Sequence, residues 1–337
     1  MIKDLRGNGA KWGKIADLLE IPEPTLRRWA HENGVTKLRE HVAPVFEGEV
    51  ATEPTMEQLI QLARDTQNAI NGVEPILTHK TIQIDSEDTI AIIFVSCMHL
   101  GSRYVQHEQF AEMLEQIIAT PGLYFLDLGD QTEGFTGFFD VASAHEQALA
   151  DPKLQRKLLA HVLDKLAAAG KLIGGFAGQH GSDWARRKTG EDPIQQMYLN
   201  RKIPFFHGQA YLTLDVGTQS YKIFAAHQLP GNSQYNKLHP QKRASLFRAP
   251  NADLVVQGDR HVGGVSWTTT DTWELDAPQI QWLVQAGTSK TGADPYTIKN
   301  WRTGAWRWPI LLFRADRHEI TQAMDLSQAQ ALLEGWE

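Results

Sequence analysis

The chain has 337 residues, 42% of them hydrophobic and 22% charged, with a net charge of −7. That balance predicts a packed globular core, one large domain with something smaller beside it, and no wholesale nucleic-acid-type charge, although a local basic patch stays compatible with it. The lone cysteine excludes an internal disulfide. Without the apolar run of a secretory signal or of a membrane span, a soluble cytoplasmic protein with no membrane partner is expected.

In the first 45 residues eight basic side chains oppose six acidic ones, so this segment is slightly positive within a negative chain. Its stretch KWGKIADLLEIPEPTLRRWAHENGV predicts two short helices. Trp12, Ile15, Ala16, Leu18 and Leu19 recur at helical spacing, and the chain turns at Glu20-Ile21-Pro22. Leu26, Trp29 and Ala30 share a face of the second helix, which Asn33-Gly34 stops. Residues 40–56 lack periodicity and read as a linker, and MEQLIQLARDTQNAI reads as a helix after it. From about residue 80, apolar runs at 89–96, 123–128 and 171–177 alternate with helical stretches at 106–119 and 153–169. Later strand-rich runs cover 209–226, 253–270, 279–287 and 307–314. The alternation predicts a layered α/β domain over residues 81–330, preceded by a helical domain over 1–40 and a linker with a helix over 41–80.

Several apolar runs stop at metal-competent residues. The run IIFVSCMHLGS ends in Cys97-Met98-His99, and YFLDLGDQTEG carries Gly129-Asp130. LIGGFAGQHGSD carries Gly178-Gln179-His180, YKIFAAHQLPG carries His227, and DLVVQGDRHVGG carries Gly258-Asp259-Arg260-His261. Ligands of open α/β sheets gather beyond the carboxyl ends of strands, where imidazoles and carboxylates from separate strands can meet on a metal ion. A lone buried histidine is ordinarily hydrogen-bonded core, and an aspartate after a strand is ordinarily a helix cap. Five such strand ends in one chain point instead to a metal site.

In order and spacing these residues resemble the calcineurin-like metallophosphoesterases, over roughly residues 85–315. That family's pattern runs D-x-H, G-D, G-N-H, a lone H and G-H-x-H. The resemblance implies a four-layer α/β/β/α sandwich and two divalent metal ions. By carry-over the first ion sits on Cys97, His99, Asp130 and His261. The second shares Asp130 and takes Gln179, His227 and Asp259, with His180 as general acid or transition-state stabiliser in phosphate-ester hydrolysis. Three positions depart from the pattern: Cys97 replaces Asp, Gln179 replaces Asn and Asp259 replaces His. The extra carboxylate favours Mn²⁺ or Mg²⁺, whereas a thiolate favours Zn²⁺ or Fe²⁺; Mn²⁺ is the leading expectation. Cys97 is equally compatible with a buried, non-ligating role. The three departures also leave room for a protein that has kept the fold and lost the chemistry.

The N-terminal helices resemble the helix-turn-helix of transposase-like and phage DNA-binding modules. EPTLRRWAHENG stands as the recognition helix, with Arg27 and Arg28 towards phosphates or guanine edges. A helical hairpin for protein contacts or dimerisation is the alternative. WARRKTG, with Arg186 and Arg187, and YNKLHPQKRASLFR, with Lys242 and Arg243, would cradle a polyanion or else be solvated faces. NWRTGAWRW interleaves Trp301, Trp306 and Trp308 with Arg302 and Arg307, as stacking residues or as core. HLGS also resembles the SbcD-type repair nucleases. The expectation is a DNA nuclease of phage or prophage kind with DNA as its partner, acting in the bacterial cytoplasm, and compatible with a homodimer. A phosphoesterase of nucleotides or small phosphoesters is the alternative.

Overall fold

The computed structural model describes residues 1–8, 10–35, 55–73, 78–134, 147–231, 233, 235–270, 279–291 and 308–335. The chain divides into two compact units, Met1–Asn68 and Ala69–Glu337.

In the first unit, α1 (Ile2–Gly7), α2 (Trp12–Leu19) and α3 (Glu23–Glu32) enclose a small core of Ile15, Ala16 and Leu26. Ile2, Leu5, Trp12 and Leu19 pack against it. The sequence reading expects two helices here and the structure holds three, because Ile2 and Leu5 of α1 close the open side of that core. Leu26 and Ala30 are buried as expected, but Trp29 is 42% exposed. Gly34 at φ +62° ends α3 in the left-handed turn that suits glycine. A further helix, α4 (Met56–Val73), follows residues that lie outside the described ones.

The second unit is built on two six-stranded sheets. One runs in the order β1 (His79–Ile84), β6 (Gln209–Val216), β7 (Gln219–Ala226), β8 (Leu254–Gln257), β10 (Gln279–Gln285), β9 (Gly264–Thr270). The other runs β12 (Ile320–Ala323), β11 (Ile310–Phe313), β2 (Ile90–Val95), β3 (Leu123–Asp127), β4 (Leu172–Phe176), β5 (Phe205–Phe206). Side chains alternate between faces with period two. Ile90, Ile92 and Phe94 of β2 join Leu212, Leu214, Ile223 and Val256 in a core between the sheets. Ala91, Ile93 and Val95 face the other way, onto a core shared with the helices α5 (His107–Ala119), α6 (Pro152–Ala168), α8 (Pro193–Leu199) and α10 (Leu326–Gly335). Both faces are covered, so β2 reads as one unbroken apolar run. On the far side, α9 (His239–Phe247) covers Phe224, Val255 and Leu283 with Ala244. The result is the four-layer α/β/β/α sandwich.

β1, β5, β12, α8 and α10 were not among the expected elements. β1 straddles the expected boundary between linker and domain at 80/81, and it pairs in parallel with β6 from His79↔Tyr211 to Ile84↔Val216. α10 carries the fold beyond residue 330, with Ala329 buried and Leu332 and Leu333 packed on the helix-side core. Among the described residues no helix is long and apolar enough to cross a membrane.

Candidate metal centre

β2, β3 and β4 are parallel neighbours, as are β7 and β8. Within each sheet their carboxyl ends therefore share an edge, and the loops that follow them stay linked. The Cys97 amide donates to the Gly129 carbonyl (2.8 Å), that of His99 to Asp130 (3.0 Å) and that of Gly258 to His227 (3.0 Å). A sixth strand end, after β10, clamps the first loop: the Thr288 hydroxyl donates to the Cys97 carbonyl (2.8 Å), and the Ser289 hydroxyl donates to that of Met98. Seven described non-glycine residues have positive φ, and five of them are Cys97 (51°), His99 (46°), Asp130 (56°), Asp259 (70°) and His261 (53°). Left-handed backbone costs a side-chain-bearing residue roughly 1–2 kcal/mol, and such strain concentrates at functional sites. Here it turns each side chain out of its strand line into one small volume. Gly178 lets two loops touch: a Cβ there would lie 2.1 Å from the Asp130 nitrogen and 2.2 Å from its Oδ1.

Asp130 is buried and its two oxygens have separate duties. Oδ1 accepts from the His180 amide (2.8 Å), while Oδ2 faces His227 Nε2 (3.4 Å) and His99 Nε2 (3.9 Å). His227 Nδ1 lies 2.6 Å from the Leu128 carbonyl. A carbonyl only accepts, so Nδ1 carries the proton and donates it, and in the neutral ring Nε2 presents a lone pair. That nitrogen is buried without a hydrogen-bond partner, and Asp259 Oδ1 is 4.0 Å away. An imidazole held by a carbonyl, with its other nitrogen facing two carboxylates, can take either a proton or a metal ion on that nitrogen. Gln228 ties the same group together by accepting from Gln179 (3.3 Å) and donating to Asp259 Oδ2 (3.1 Å).

A second group also faces Asp130, through His99 Nε2. His99 Nε2 and His261 Nε2 are 3.0 Å apart, and with the Cys97 sulfur their ligand atoms fall within 4.8 Å of one another. Two nitrogens each about 2.1 Å from one ion would lie roughly 3 Å apart, so the spacing suits cis ligands. His99 Nδ1 faces Glu133 Oε2 at 2.9 Å, which orients the ring, and the Lys290 ammonium is 3.0 Å from the same carboxylate. His99, Glu133 and His180 form a further candidate ligand trio. The residues present therefore fit divalent metal ions.

Protonation follows from burial and neighbours. Burial and the Lys290 charge bring His99 down to about 4, and burial and His99 bring His261 well below its usual value, so both rings are neutral at pH 7. Burial alone would lower His227 as well, but Asp130 and Asp259 raise it to about 9. Burial, with Asp130 beside it, pushes the Cys97 thiol well up. Burial opposes ionisation of Asp130, yet His227 and His180 hold its carboxyl well below the carboxylate range. Behind the loop, Asp127 accepts from the Gly129 amide (2.8 Å), from Gln131 (2.8 Å) and from the Tyr198 hydroxyl, and burial raises it to about 6.

Among the other sequence candidates, Arg186 and Arg187, on α7 (Trp184–Thr189), line a cavity of about 390 Å³ with Gln179 and His227. Lys242 and Arg243 lie on α9; Arg243 lines a separate cavity of about 140 Å³ with Pro230 and Phe247. Arg27 donates from Nε to Glu23 Oε1 (2.7 Å), and Arg28 is exposed on the same helix. Trp308 anchors the first loop by donating to the Ser96 carbonyl (3.2 Å), and its ring meets Phe110 edge-on. Trp301, Arg302, Trp306 and Arg307 lie outside the described residues. Sequence reasoning missed Glu133, Gln228 and Lys290. Their signals were a carboxylate three residues after Asp130, an amide next to His227, and a sixth apolar run ending in Thr288-Ser289-Lys290.

No family model matches the chain, and no curated protein matches it. Among solved structures, wild-type Vps29 of Entamoeba histolytica complexed with zinc is similar at 10% identity, covering 69% of this chain and 98% of that one, with a TM-score of 0.34. The nuclease MPE of Pseudomonas putida is similar at 13% identity (69% and 87% covered, TM-score 0.30). A metallophosphoesterase of Sphaerobacter thermophilus is similar at 14% identity (73% and 93% covered, TM-score 0.33).

Proposed function

We propose that this chain is a two-metal phosphoesterase that hydrolyses phosphodiester bonds of DNA, with helix Glu23–Glu32 delivering it to the duplex. The observation that carries the reading is the gathering of four strained strand-end side chains, Cys97, His99, Asp259 and His261, around the equally strained Asp130, with His227 Nε2 buried between Asp130 and Asp259. Cys97, His99, Asp130 and His261 would hold one ion, and Asp130, Gln179, His227 and Asp259 the other. Ions held there would supply charge to oppose the phosphoryl oxygens and to lower the pKa of water.

The remaining work falls to side chains. His180 Nδ1 lies 2.7 Å from the Glu133 carbonyl and donates to it, so Nε2 is the atom that delivers a proton to the departing oxygen. Asp130 Oδ1 accepts from the His180 amide and holds that segment in place. Arg186 and Arg187 bring positive charge to the adjoining cavity, which suits the phosphates that flank a scissile bond in a strand.

The test is a panel of single-stranded DNA, duplex DNA, a chromogenic phosphodiester and a chromogenic phosphomonoester, each assayed with and without Mn²⁺. Metal-dependent cleavage of the diester and of DNA is expected, and His180→Ala should lower turnover by about 10²–10⁴-fold with metal content unchanged. Activity on the monoester alone would favour the small-phosphoester reading. Protein that binds no metal and gains nothing from Mn²⁺ would reduce the chain to a DNA-binding fold.

A further inference from the structure

The cavity beside Gln179 and His227 contains an aromatic ring as well as two arginines. Trp184 opens α7, is half-buried and lines the cavity together with Arg186, Arg187 and His207. Its ring centroid lies 4.4 Å from that of His180, with the planes at 42°. One indole thus abuts the proposed proton donor and borders the space where a substrate would sit.

The segment that carries it is firmly held. Ala185 is buried, the Ser182 hydroxyl donates to Asp192, and Asp192 in turn caps α8 by accepting from the Ile194 (2.9 Å) and Gln195 (3.0 Å) amides. Gly181, at φ +77°, makes the turn just before it; a Cβ there would meet the Thr132 hydroxyl at 2.6 Å. A ring fixed in this way loses little freedom when a ligand stacks on it.

At about 390 Å³ the cavity falls near the lower end of small-ligand sites, roughly 300–1,000 Å³. That volume suits one nucleoside unit. A paired base inside a duplex keeps both faces stacked and cannot offer one to an indole that lines such a cavity. Arg186 and Arg187, both exposed, supply charge for phosphate.

We infer that Trp184 is a stacking platform for an unpaired nucleobase beside the scissile phosphate. The substrate of this centre is then a single-stranded or frayed nucleic-acid segment, not a base-free phosphoester. The inference rests on the phosphoesterase reading of the centre, and its test is separable from that reading because it measures binding.

Full-length protein with Mn²⁺ is titrated calorimetrically with thymidine 5′-monophosphate and, in parallel, with deoxyribose 5-phosphate. The base should tighten binding about tenfold, as expected for one base–aromatic stack. Trp184→Leu, which keeps apolar bulk and removes the extended π face, should abolish most of that difference, and Trp184→Phe should retain much of it. Equal affinities of the two ligands for the wild-type protein, no binding of either, or a base preference that persists in Trp184→Leu would each overturn the inference. Turnover of a chromogenic phosphodiester by the wild-type protein tests the phosphoesterase reading on its own. If turnover is absent while the base preference is present and depends on Trp184, the hydrolytic reading alone has failed.

Discussion

His227 shows how a single residue reports on the ion expected beside it. Burial opposes its charge, but Asp130 and Asp259 raise its pKa from 6.5 to about 9. The protonated ring is then the favoured occupant between the two carboxylates when no metal is bound. A raised value stabilises the fold fully below about 6.5, and that contribution is lost as pH climbs through about 9. On the proposed ligand set, Mn²⁺ binding near neutral pH should expel this proton. Calorimetric enthalpies in two buffers of different ionisation enthalpy should therefore differ by about one proton's worth, and His227→Asn should lose that difference. Equal release from the variant would exclude His227 as the source. Glu133 acts through its neighbours: it faces the His99 ring and pairs with the buried Lys290. Glu133→Gln should weaken metal binding about 10–100-fold through the loosened imidazole. It should also cost about 3–5 kcal/mol in urea unfolding, because a buried ammonium loses its carboxylate.

At the scale of elements, strand interiors were legible and strand ends only partly so. Ile90–Val95 announced itself as a two-faced buried strand because every residue in it is apolar. β1 did not, since only Ile82 and Ile84 alternate in it and it lies at a sheet edge, where side chains on one face meet solvent. The Cys97, Asp130 and His261 loops were legible as motifs, but their left-handed backbone was not. It is imposed by amide–carbonyl links between loops more than 30 residues apart, such as Cys97 to Gly129. Gly178 carries a further close approach, to Asp130. Gly178→Ala should cost about 1–3 kcal/mol by overpacking and lower metal content, whereas Gly170→Ala, with nothing within 4 Å of its Cβ, should cost only the roughly 1 kcal/mol of a left-handed alanine. Matching urea midpoints for the two variants would count against the close approach at Gly178.

The whole molecule is two units with separate cores. Ile15, Ala16 and Leu26 belong to the first, and the candidate ligands all belong to the second. A chain beginning at Ala69 should keep its Mn²⁺-dependent turnover of a chromogenic diester and lose affinity for duplex DNA, measured by fluorescence anisotropy across a salt series. Undiminished duplex binding by the shorter chain would remove the N-terminal helices from DNA delivery.

Sequence by itself determined the layered α/β class and the identity and order of the metal-competent residues. These follow from local periodicity and from residue type, which a single strand of text carries. Only the tertiary structure decided that Glu133 and Lys290 stand beside His99, that Gln228 links Gln179 to Asp259, and that Trp184 touches His180. Trp184 and His180 lie four residues apart in one segment after β4, but the other neighbours come from separate strand ends, and they meet because parallel strands end on one edge, where the loops that follow them bond to one another.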